Sequence, residues 1–393
     1  MNPETSPFSP GQPVPIEFFV GRIREIERLR SMVNAGTQGK FRIGFVSGER
    51  GIGKSSLASF VRHLSEHESQ VAGCHVFLGG VEDLKEMLRR TFDRLLKESM
   101  DKPWHEQIKN FFGNHVRKVG LFGVTLELSL KDSDLSTLAH DFVPTVTRLL
   151  DSLKGHKSTL FLVLDDINGL AGSEVFANWL KSTVDEVSTS RRKIPLCILV
   201  VGLEERRQEL VAKQPSLARV FELIDIAPWS DDEAMDFYRK SFDAVGARIA
   251  ESDMQQLVRL TGGLPVLAHE IGDAVWRTAR GPGIESREVR EGILTAAEVI
   301  GRKLLEPQVF SAIRSERYRS ILRKMSDEFR RRFRRSELME RLTGEEKKVM
   351  DNFLQRMKRL GALETDPETK GGYQFPNLLH ALYFWMESQR ISR

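Results

Sequence analysis

Five short, almost continuously apolar runs dominate the first 230 residues of the chain, and helical stretches separate them. A strand that is covered by helices on both faces needs such a run, whereas a strand with one wet face alternates apolar and polar residues. Strands that alternate with helices favour a parallel sheet. The sequence therefore predicts an α/β fold with a doubly covered, five-stranded parallel sheet, formed by residues 41–48, 72–80, 160–167, 196–203 and 221–226.

The first of these runs leads into a helix through the stretch FVSGERGIGKSSLASF, residues 45–60. This stretch fits the pattern G-x-x-x-x-G-K-[ST], in which backbone amides at a helix N-terminus converge on phosphates. In that pattern the lysine meets the β- and γ-phosphates and the hydroxyl ligates Mg²⁺. We therefore predict ATP and Mg²⁺ as ligands, with Lys54 in a catalytic role and Ser55 as a metal ligand. The predicted nucleotide contacts are Gly48, Glu49, Arg50, Gly51, Ile52, Gly53, Lys54, Ser55 and Ser56. The alternative is a glycine-rich turn that binds no ligand.

Two acids, Asp165 and Asp166, end the third run, LFLVLDD. The carboxyl ends of parallel strands are where open α/β sheets bind ligands. We expect Asp165 to hold Mg²⁺ through water and Asp166 to polarise the attacking water. The alternative is that these acids only cap the helix that follows.

The composition is that of an ordinary soluble chain, with 29% charged and 40% hydrophobic residues. Cys74 and Cys197 both lie in apolar runs, which predicts reduced core thiols rather than a disulfide framework. No apolar run reaches the roughly 20 residues that a membrane span needs. The proline-rich start has no apolar core, so it is not a signal peptide. These features favour a cytoplasmic protein without a membrane partner.

Changes of pattern along the chain predict four domains or segments. Residues 1–16 form a flexible Pro-rich tail, and residues 17–229 form the α/β core. Within that core, residues of about 116–132 alternate in polarity and predict an inserted hairpin. Residues 230–305 form a helical lid. Residues 306–393 form a winged-helix domain of three helices and a hairpin.

With both phosphate-site motifs in place, the sequence resembles the AAA+/STAND group of P-loop ATPases, especially those with an origin-recognition-like ATPase domain. The resemblance covers residues of about 17–300. FFVGRIREIERL, residues 18–29, is similar to an element that lies near the adenine in that family, which implicates Val20, Gly21 and Arg22. TGGLPVLAHEIGDAV resembles the Gly-x-Pro element of the lid, which implies that Pro265 contacts the nucleotide. From the pattern alone, this proline only starts a helix.

The sequence departs from the family at two points. Asp166 stands where the usual catalytic residue is a glutamate, and the fourth run ends in Gly202 and Leu203, neither of which can sense a γ-phosphate by its side chain. The segment PSLARVFELIDIAPWS resembles the region of the arginine finger, which makes Arg219 the candidate for a catalytic contact with a neighbouring subunit's nucleotide. The alternative is a solvated arginine beside a strand. ATP binding with slow hydrolysis is the resulting expectation.

The C-terminal part is strongly basic, although the whole chain carries a net charge of only +4. Residues 302–361 hold 18 Lys and Arg against 9 Asp and Glu, and five arginines lie within residues 330–335. In a helix-turn-helix, such a region supplies phosphate contacts to double-stranded DNA. The outer face of the helix predicted near residues 345–360 presents Lys347, Lys348, Asn352, Gln355, Arg356 and Arg359, and Lys370 lies at the hairpin tip. The alternatives are a lock on the ATPase domain, a protein partner or a homo-oligomer.

The function that fits these features best is an ATP-dependent molecular switch that regulates a partner through its lid and winged helix. A second hypothesis is a DNA-binding ATPase of the replication-initiator or transposition-regulator type. A third is a scaffold that binds nucleotide without turning it over.

Overall fold

The computed structural model describes residues 6–119 and 125–391, and these residues form two compact units. One is an α/β unit, Gly21–Ala227. The other is a helical unit that combines the N-terminal segment up to Val20 with everything from Pro228 onward.

A five-stranded sheet forms the centre of the α/β unit, and all its pairings are parallel, as the apolar runs predicted. The spatial order is β2-β5-β6-β1-β7. Its strands are β1 (Arg42–Ser47), β2 (Val71–Phe77), β5 (Thr159–Asp165), β6 (Leu196–Val201) and β7 (Phe221–Asp225). The helices of this unit are α1 (Ile23–Thr37), α2 (Lys54–Glu68), α3 (Leu84–Ser99), α4 (His105–Phe112), α5 (Asp132–His140), α6 (Phe142–Ser152), α7 (Glu174–Thr189), α8 (Glu204–Lys213) and α9 (Leu217–Val220).

The predicted hairpin is present as the antiparallel pair β3 (Val116–Val119) and β4 (Thr125–Leu128). Leu128 is buried and its backbone amide donates to Asp93 Oδ1 at 3.2 Å, which ties the hairpin to α3. The connecting residues 120–124 lie outside the described residues.

The helical unit begins with the N-terminal segment, for which the sequence predicted a flexible tail. Within its described part, Phe8 is 4% exposed and packs against the rings of Phe237, Tyr238 and Phe242. A single 3-10 turn, Ile16–Phe18, follows. This segment therefore contributes to the core of the helical unit, because a large apolar ring gains more from burial than the short segment loses in freedom.

Four helices and one short strand pair make up the first part of the helical unit. The helix α10 starts with a capping box in which Ser230 and Glu233 satisfy each other's backbone amides. Two left-handed glycines, Gly262 and Gly263, separate α11 from α12, and Pro265 is the first residue of α12. The elements are α10 (Asp231–Ala244), β8 (Arg248–Ile249), α11 (Glu251–Thr261), α12 (Pro265–Thr278), β9 (Gly283–Ile284) and α13 (Ser286–Ile300).

The second part of the helical unit has, within the described residues, five helices and a three-stranded antiparallel sheet of order β10-β12-β11. A π-helix, Gly301–Phe310, leads into it. The last helix, α18, contributes Leu379 and Leu382 to one apolar core and Tyr383 and Phe384 to the other, so it joins both parts of the unit. The elements are α14 (Glu316–Met325), β10 (Arg332–Arg334), α15 (Arg335–Arg341), α16 (Gly344–Lys347), α17 (Met350–Arg359), β11 (Glu364–Thr365), β12 (Gly372–Gln374) and α18 (Leu378–Ile391).

Both cysteines are free and buried, as predicted, and burial raises the pKa of each thiol far above its usual value. Over the residues that the structure describes, none of the helices has both the length and the apolar character that crossing a bilayer requires.

Candidate active site

The glycine-rich loop joins the carboxyl end of β1 to the first turn of α2. Gly51 and Gly53 have φ angles of 77° and 95°, a region that L-residues with a side chain rarely adopt. A Cβ on Gly48 would lie 3.0 Å from Ile226 O and 3.1 Å from Ile52 Cγ2. The glycines are therefore needed both for the conformation of the loop and for its close packing.

Lys54 is the first residue of α2, and its ammonium group turns back over the loop. Lys54 Nζ donates to Gly48 O at 2.9 Å and to Glu49 O at 2.8 Å. Burial lowers the Lys54 pKa, while the charges of Asp165 and Asp166 act in the opposite direction and favour the ammonium form. An ammonium has three donors, so one remains for a phosphate oxygen. The structure thus places Lys54 near enough to both predicted acids for their charges to act on its ammonium group.

One buried arginine stabilises the phosphate-binding loop by a hydrogen bond. Arg22 is 6% exposed and donates from Nη2 to Ile52 O at 3.2 Å and from Nη1 to Ala227 O. Ile52 itself is 1% exposed, so it anchors the loop to the core. Glu49 and Arg50, by contrast, are exposed.

Asp165 is the last residue of β5 and is 2% exposed. Its Oδ2 lies 2.8 Å from His75 Nε2, and its backbone oxygen accepts from Leu78 N at 2.7 Å. A buried carboxylate is costly without such partners. Asp165 therefore sits in a fixed position at the carboxyl edge of the sheet, the edge at which β1 enters the phosphate-binding loop.

Asp166 adopts a left-handed conformation, with a φ of 60°. Its Oδ1 accepts from Asn168 Nδ2, and a Cβ on Gly79 would lie 2.9 Å from its Oδ2. The next helix, α7, begins only at Glu174, and Ser173 caps it. The alternative interpretation, that Asp165 and Asp166 cap the following helix, is therefore wrong. Backbone strain of this kind is concentrated at functional sites.

The donors fit a magnesium ion that arrives with a nucleotide. Among the described residues, no group of three or more His, Cys, Asp or Glu could hold a metal by itself. Mg²⁺ typically binds one or two carboxylates together with substrate phosphates, and it keeps several waters. Ser55, in the first turn of α2, and Asp165 are the residues that would hold it.

Arg219 lies in α9, directly before the amino end of β7. This strand runs parallel to β1 over five residues, about 17 Å. Arg219 is therefore at the opposite edge of the sheet from its own phosphate-binding loop. Its side chain is exposed and has no hydrogen bond or ion pair with other described residues. Its action on a neighbouring subunit's nucleotide stays a prediction.

Val20 and Pro265 belong to the helical unit, whereas the phosphate-binding loop belongs to the α/β unit. Pro265 is buried at the start of α12. Their contacts with a nucleotide remain predictions.

Sequence reasoning missed two polar pairs at the carboxyl edge of the sheet. One is His75 with Asp165, described above. The other is Ser47, the last residue of β1, whose Oγ donates to Asp225 Oδ1 at the end of β7. A polar residue near the end of an apolar run could have drawn attention to Ser47 and Asp225. His75 lies inside its run and gives no such signal.

The fold and the site together define a P-loop ATPase, and sequence comparison refines this class. Residues 19–204 match the family described as AAA ATPase domain. No curated protein matches the chain. Residues 19–204 are therefore an AAA ATPase domain.

Solved structures agree on the fold. The ORC2 protein of Aeropyrum pernix, in its ADPNP-ADP complexes, superposes with a TM-score of 0.59 at 14% identity, covering 95% of this chain and 96% of that one. The Walker-type ATPase of Pyrococcus abyssi gives a TM-score of 0.53 at 16% identity, covering 93% and 96%. At these identities the similarity shows the fold alone. The chain thus has the fold of origin-recognition-like AAA+ ATPases.

Proposed function

We propose that the protein is an ATP-dependent switch that binds ATP with Mg²⁺ and hydrolyses it slowly. The observation that carries this proposal is the assembly of Lys54 with Asp165 and Asp166 beside a loop whose glycines have the required conformations. The ORC2 structure named above was solved with ADPNP and ADP, which supports a nucleotide as ligand.

Each residue has a distinct part in this proposal. The amides of residues 50–55 bind the phosphates, and the third N–H of Lys54 neutralises charge on the β- and γ-phosphates. Bound Mg²⁺, held by Ser55 and by Asp165 through water, would supply further charge neutralisation. Asp166 orients the attacking water through Oδ2, because Asn168 occupies Oδ1.

Two features support slow turnover. Asp166 is one methylene shorter than the glutamate of the resembling enzymes, and its left-handed backbone restricts where its carboxylate can reach. In addition, β6 is followed by Gly202 and Leu203, and the first polar side chain after them, Glu204, is paired with Arg207 at 2.8 Å. Tight binding with slow hydrolysis suits a switch that regulates a partner through the helical unit.

Calorimetry with ATP and Mg²⁺ tests the binding step. We expect wild type to bind at least about tenfold more tightly than Lys54→Ala, a loss of about 1.4 kcal/mol or more. Phosphate release tests the enzymatic step: we expect a rate below about 1 per second, the low end for enzymes, and its loss in Asp166→Ala. Equal ATP affinity in wild type and Lys54→Ala would refute the switch. If wild type binds ATP but releases no phosphate, the result would favour the third hypothesis, a scaffold that binds nucleotide without hydrolysing it.

A second candidate function is binding of double-stranded DNA through the C-terminal part. The order of helices α14, α15 and α16–α17 with the sheet β10-β12-β11 supports a winged helix-turn-helix. Met350, Phe353, Leu354 and Met357 form the buried face of α17. Its opposite face exposes Asn352, Gln355, Arg356 and Arg359, the residue types that read base edges and phosphates.

The arginine run of residues 330–335 offers fewer free guanidinium groups for DNA phosphates than its charge suggests. Arg330, Arg332 and Arg335 are paired with Glu337, Glu368 and Asp351. Arg331 donates to the backbone oxygens of Phe375 and Pro376. Measuring the affinity for a DNA duplex at several salt concentrations tests this candidate function. A slope near zero for log affinity against log salt concentration would exclude binding by phosphate neutralisation.

A further inference from the structure

A buried histidine contacts the carboxylate that ends β5. His75 Nε2 and Asp165 Oδ2 are 2.8 Å apart, and both side chains are 3% exposed. A carboxylate only accepts hydrogen bonds, so Nε2 carries the proton and donates it. His75 has no part in the mechanism described above.

The strand register explains why these two residues meet. Phe77 is opposite Asp165 and His75 is opposite Val163, so all four side chains lie on the same face of the sheet. The imidazole of His75 therefore reaches diagonally across to Asp165. The ring of Phe77 stacks on this imidazole, with centroids 4.5 Å apart and planes at 21°. This stack shields the hydrogen bond from water, which strengthens it.

The backbone of Asp165 is fixed independently of His75. Its Cα pairs with Phe77 on one side and Val201 on the other, and its carbonyl accepts from Leu78 N. The remaining freedom is rotation of the carboxylate. Across residues 6–119 and 125–391, only His75 hydrogen-bonds to this carboxylate, so Oδ1 stays available for another donor.

We propose that His75 is a positioning residue for the magnesium site: it holds Oδ2 of Asp165 and thereby reserves Oδ1 for a metal-bound water. The inference rests on the proposed function, because it presumes that Asp165 serves Mg²⁺. Hydrogen-bond partners of metal-binding groups typically change metal affinity or activity by about 10- to 100-fold when they are removed.

The competing explanation is that His75 only fills space in the sheet. Two polar substitutions separate the explanations. The amide nitrogen of a glutamine comes close to the position of Nε2, whereas that of an asparagine comes close to the position of Nδ1. Positioning therefore requires His75→Gln to retain the function and His75→Asn to lose it. Packing alone predicts that these two variants behave alike.

The experiment measures ATP binding by calorimetry, with excess Mg²⁺ and with a chelator, for wild type and for His75→Gln, His75→Asn and His75→Leu. The readout is the factor by which Mg²⁺ tightens binding. We expect His75→Leu and His75→Asn to lower that factor by about 10- to 100-fold while binding without Mg²⁺ changes less than about threefold. We expect His75→Gln to stay within about threefold of wild type.

Thermal unfolding of each variant provides the control for folding. If His75→Leu fails to fold, the glutamine and asparagine variants still decide. An unchanged magnesium factor in both His75→Asn and His75→Leu, or equal losses in the two polar variants, would overturn the inference. Failure of the proposed function looks different, since wild type would then bind ATP no better than Lys54→Ala.

Discussion

Arg22 donates from Nη2 to the backbone oxygen of Ile52 over 3.2 Å, and its other terminal nitrogen donates to Ala227 O. One guanidinium therefore joins the middle of the phosphate-binding loop to the last residue of the α/β unit. Arg22 is buried and has a φ of 62°, a strained conformation for a residue with a side chain. Two hydrogen bonds offset this backbone strain, because the forked guanidinium can donate to both carbonyl oxygens at once.

Arg22→Ala should loosen the loop and destabilise the protein. Hydrogen bonds from a charged donor contribute about 1.5 to 3 kcal/mol, so we expect a loss of about 2 to 4 kcal/mol in urea unfolding. ATP affinity should fall as well. Arg22→Lys should recover only part of the loss, because an ammonium lacks the planar fork. Arg24→Ala is the control, since Arg24 is exposed; equal effects of the two alanine variants would refute the role of Arg22.

The parts of this fold that could be predicted are those with a local signal. The five strands were predictable because a strand covered on both faces must be apolar almost throughout. The loop was predictable because phosphate binding fixes residue types at fixed spacing, as at Gly48, Gly53 and Lys54. The capping box that starts α10 is another local signal, because Ser230 and Glu233 are only three residues apart in the sequence.

The parts that could not be predicted depend on contacts between distant residues. His75 lies inside an apolar run, and only the register of β2 against β5 shows that it reaches Asp165. Phe8 lies in a proline-rich segment whose burial depends on a pocket of rings more than 200 residues away. The strand β10 was missed because only Phe333 among its residues is buried and the others are arginines.

Gly79→Ala should slow ATP hydrolysis without weakening ATP binding. An added Cβ would lie 2.9 Å from Asp166 Oδ2, so the carboxylate that is proposed to orient the attacking water has to move. We expect about a 10- to 100-fold loss in phosphate release, the range for a misplaced general base. Gly172→Ala is the matched control, because nothing lies within 4 Å of its Cβ. A normal rate in Gly79→Ala would argue against a role for Asp166 in orienting water.

Phe8 and Gly272 should be energetically coupled. A Cβ on Gly272 would lie 2.3 Å from Phe8 Cε1, so Gly272→Ala overpacks this site. We expect the overpacking to lower the free energy of unfolding by about 1 to 3 kcal/mol. Phe8→Ala should cost about 3 to 5 kcal/mol, since it leaves a cavity.

In the double variant Phe8→Ala/Gly272→Ala, the new methyl group enters the space that the ring has left. The double variant should therefore be more stable than the sum of the single effects predicts, by about 1 to 3 kcal/mol. Urea unfolding of the four proteins measures this coupling, with Gly281→Ala as a control at an open position. Strict additivity would mean that Phe8 does not occupy this pocket in solution.

The helical unit should lose stability in mild acid because of His269. Burial lowers the His269 pKa to about 4, although Asp273 acts in the opposite direction. In the unfolded chain the pKa of His269 is about 6.5. Between about pH 6.5 and pH 4, the unfolded chain therefore binds a proton that the folded protein does not bind. The part of the folding stability that depends on a neutral His269 is fully present above about pH 6.5, and it decreases as the pH falls from there to about 4.

Between pH 7 and pH 5.5, we expect wild type to lose about 1 kcal/mol more than His269→Gln, which cannot titrate. Urea unfolding at the two pH values measures the difference between the variants. A neutral His269 also accepts a hydrogen bond from Ser9 N at 3.1 Å. Identical pH dependence in both proteins would show that His269 titrates normally.

The paired and unpaired arginines of the C-terminal part should differ in DNA binding. Arg356 and Arg359 on α17 are exposed and have no ion pair among the described residues, whereas Arg332 and Arg335 are paired with Glu368 and Asp351. Each phosphate contact contributes about 0.9 to the salt slope of duplex affinity. We therefore expect Arg356→Ala/Arg359→Ala to reduce the slope by about 2 and Arg332→Ala/Arg335→Ala by less than about 0.5. Both double variants remove two positive charges, so equal reductions would indicate a general effect of net charge rather than contact through α17.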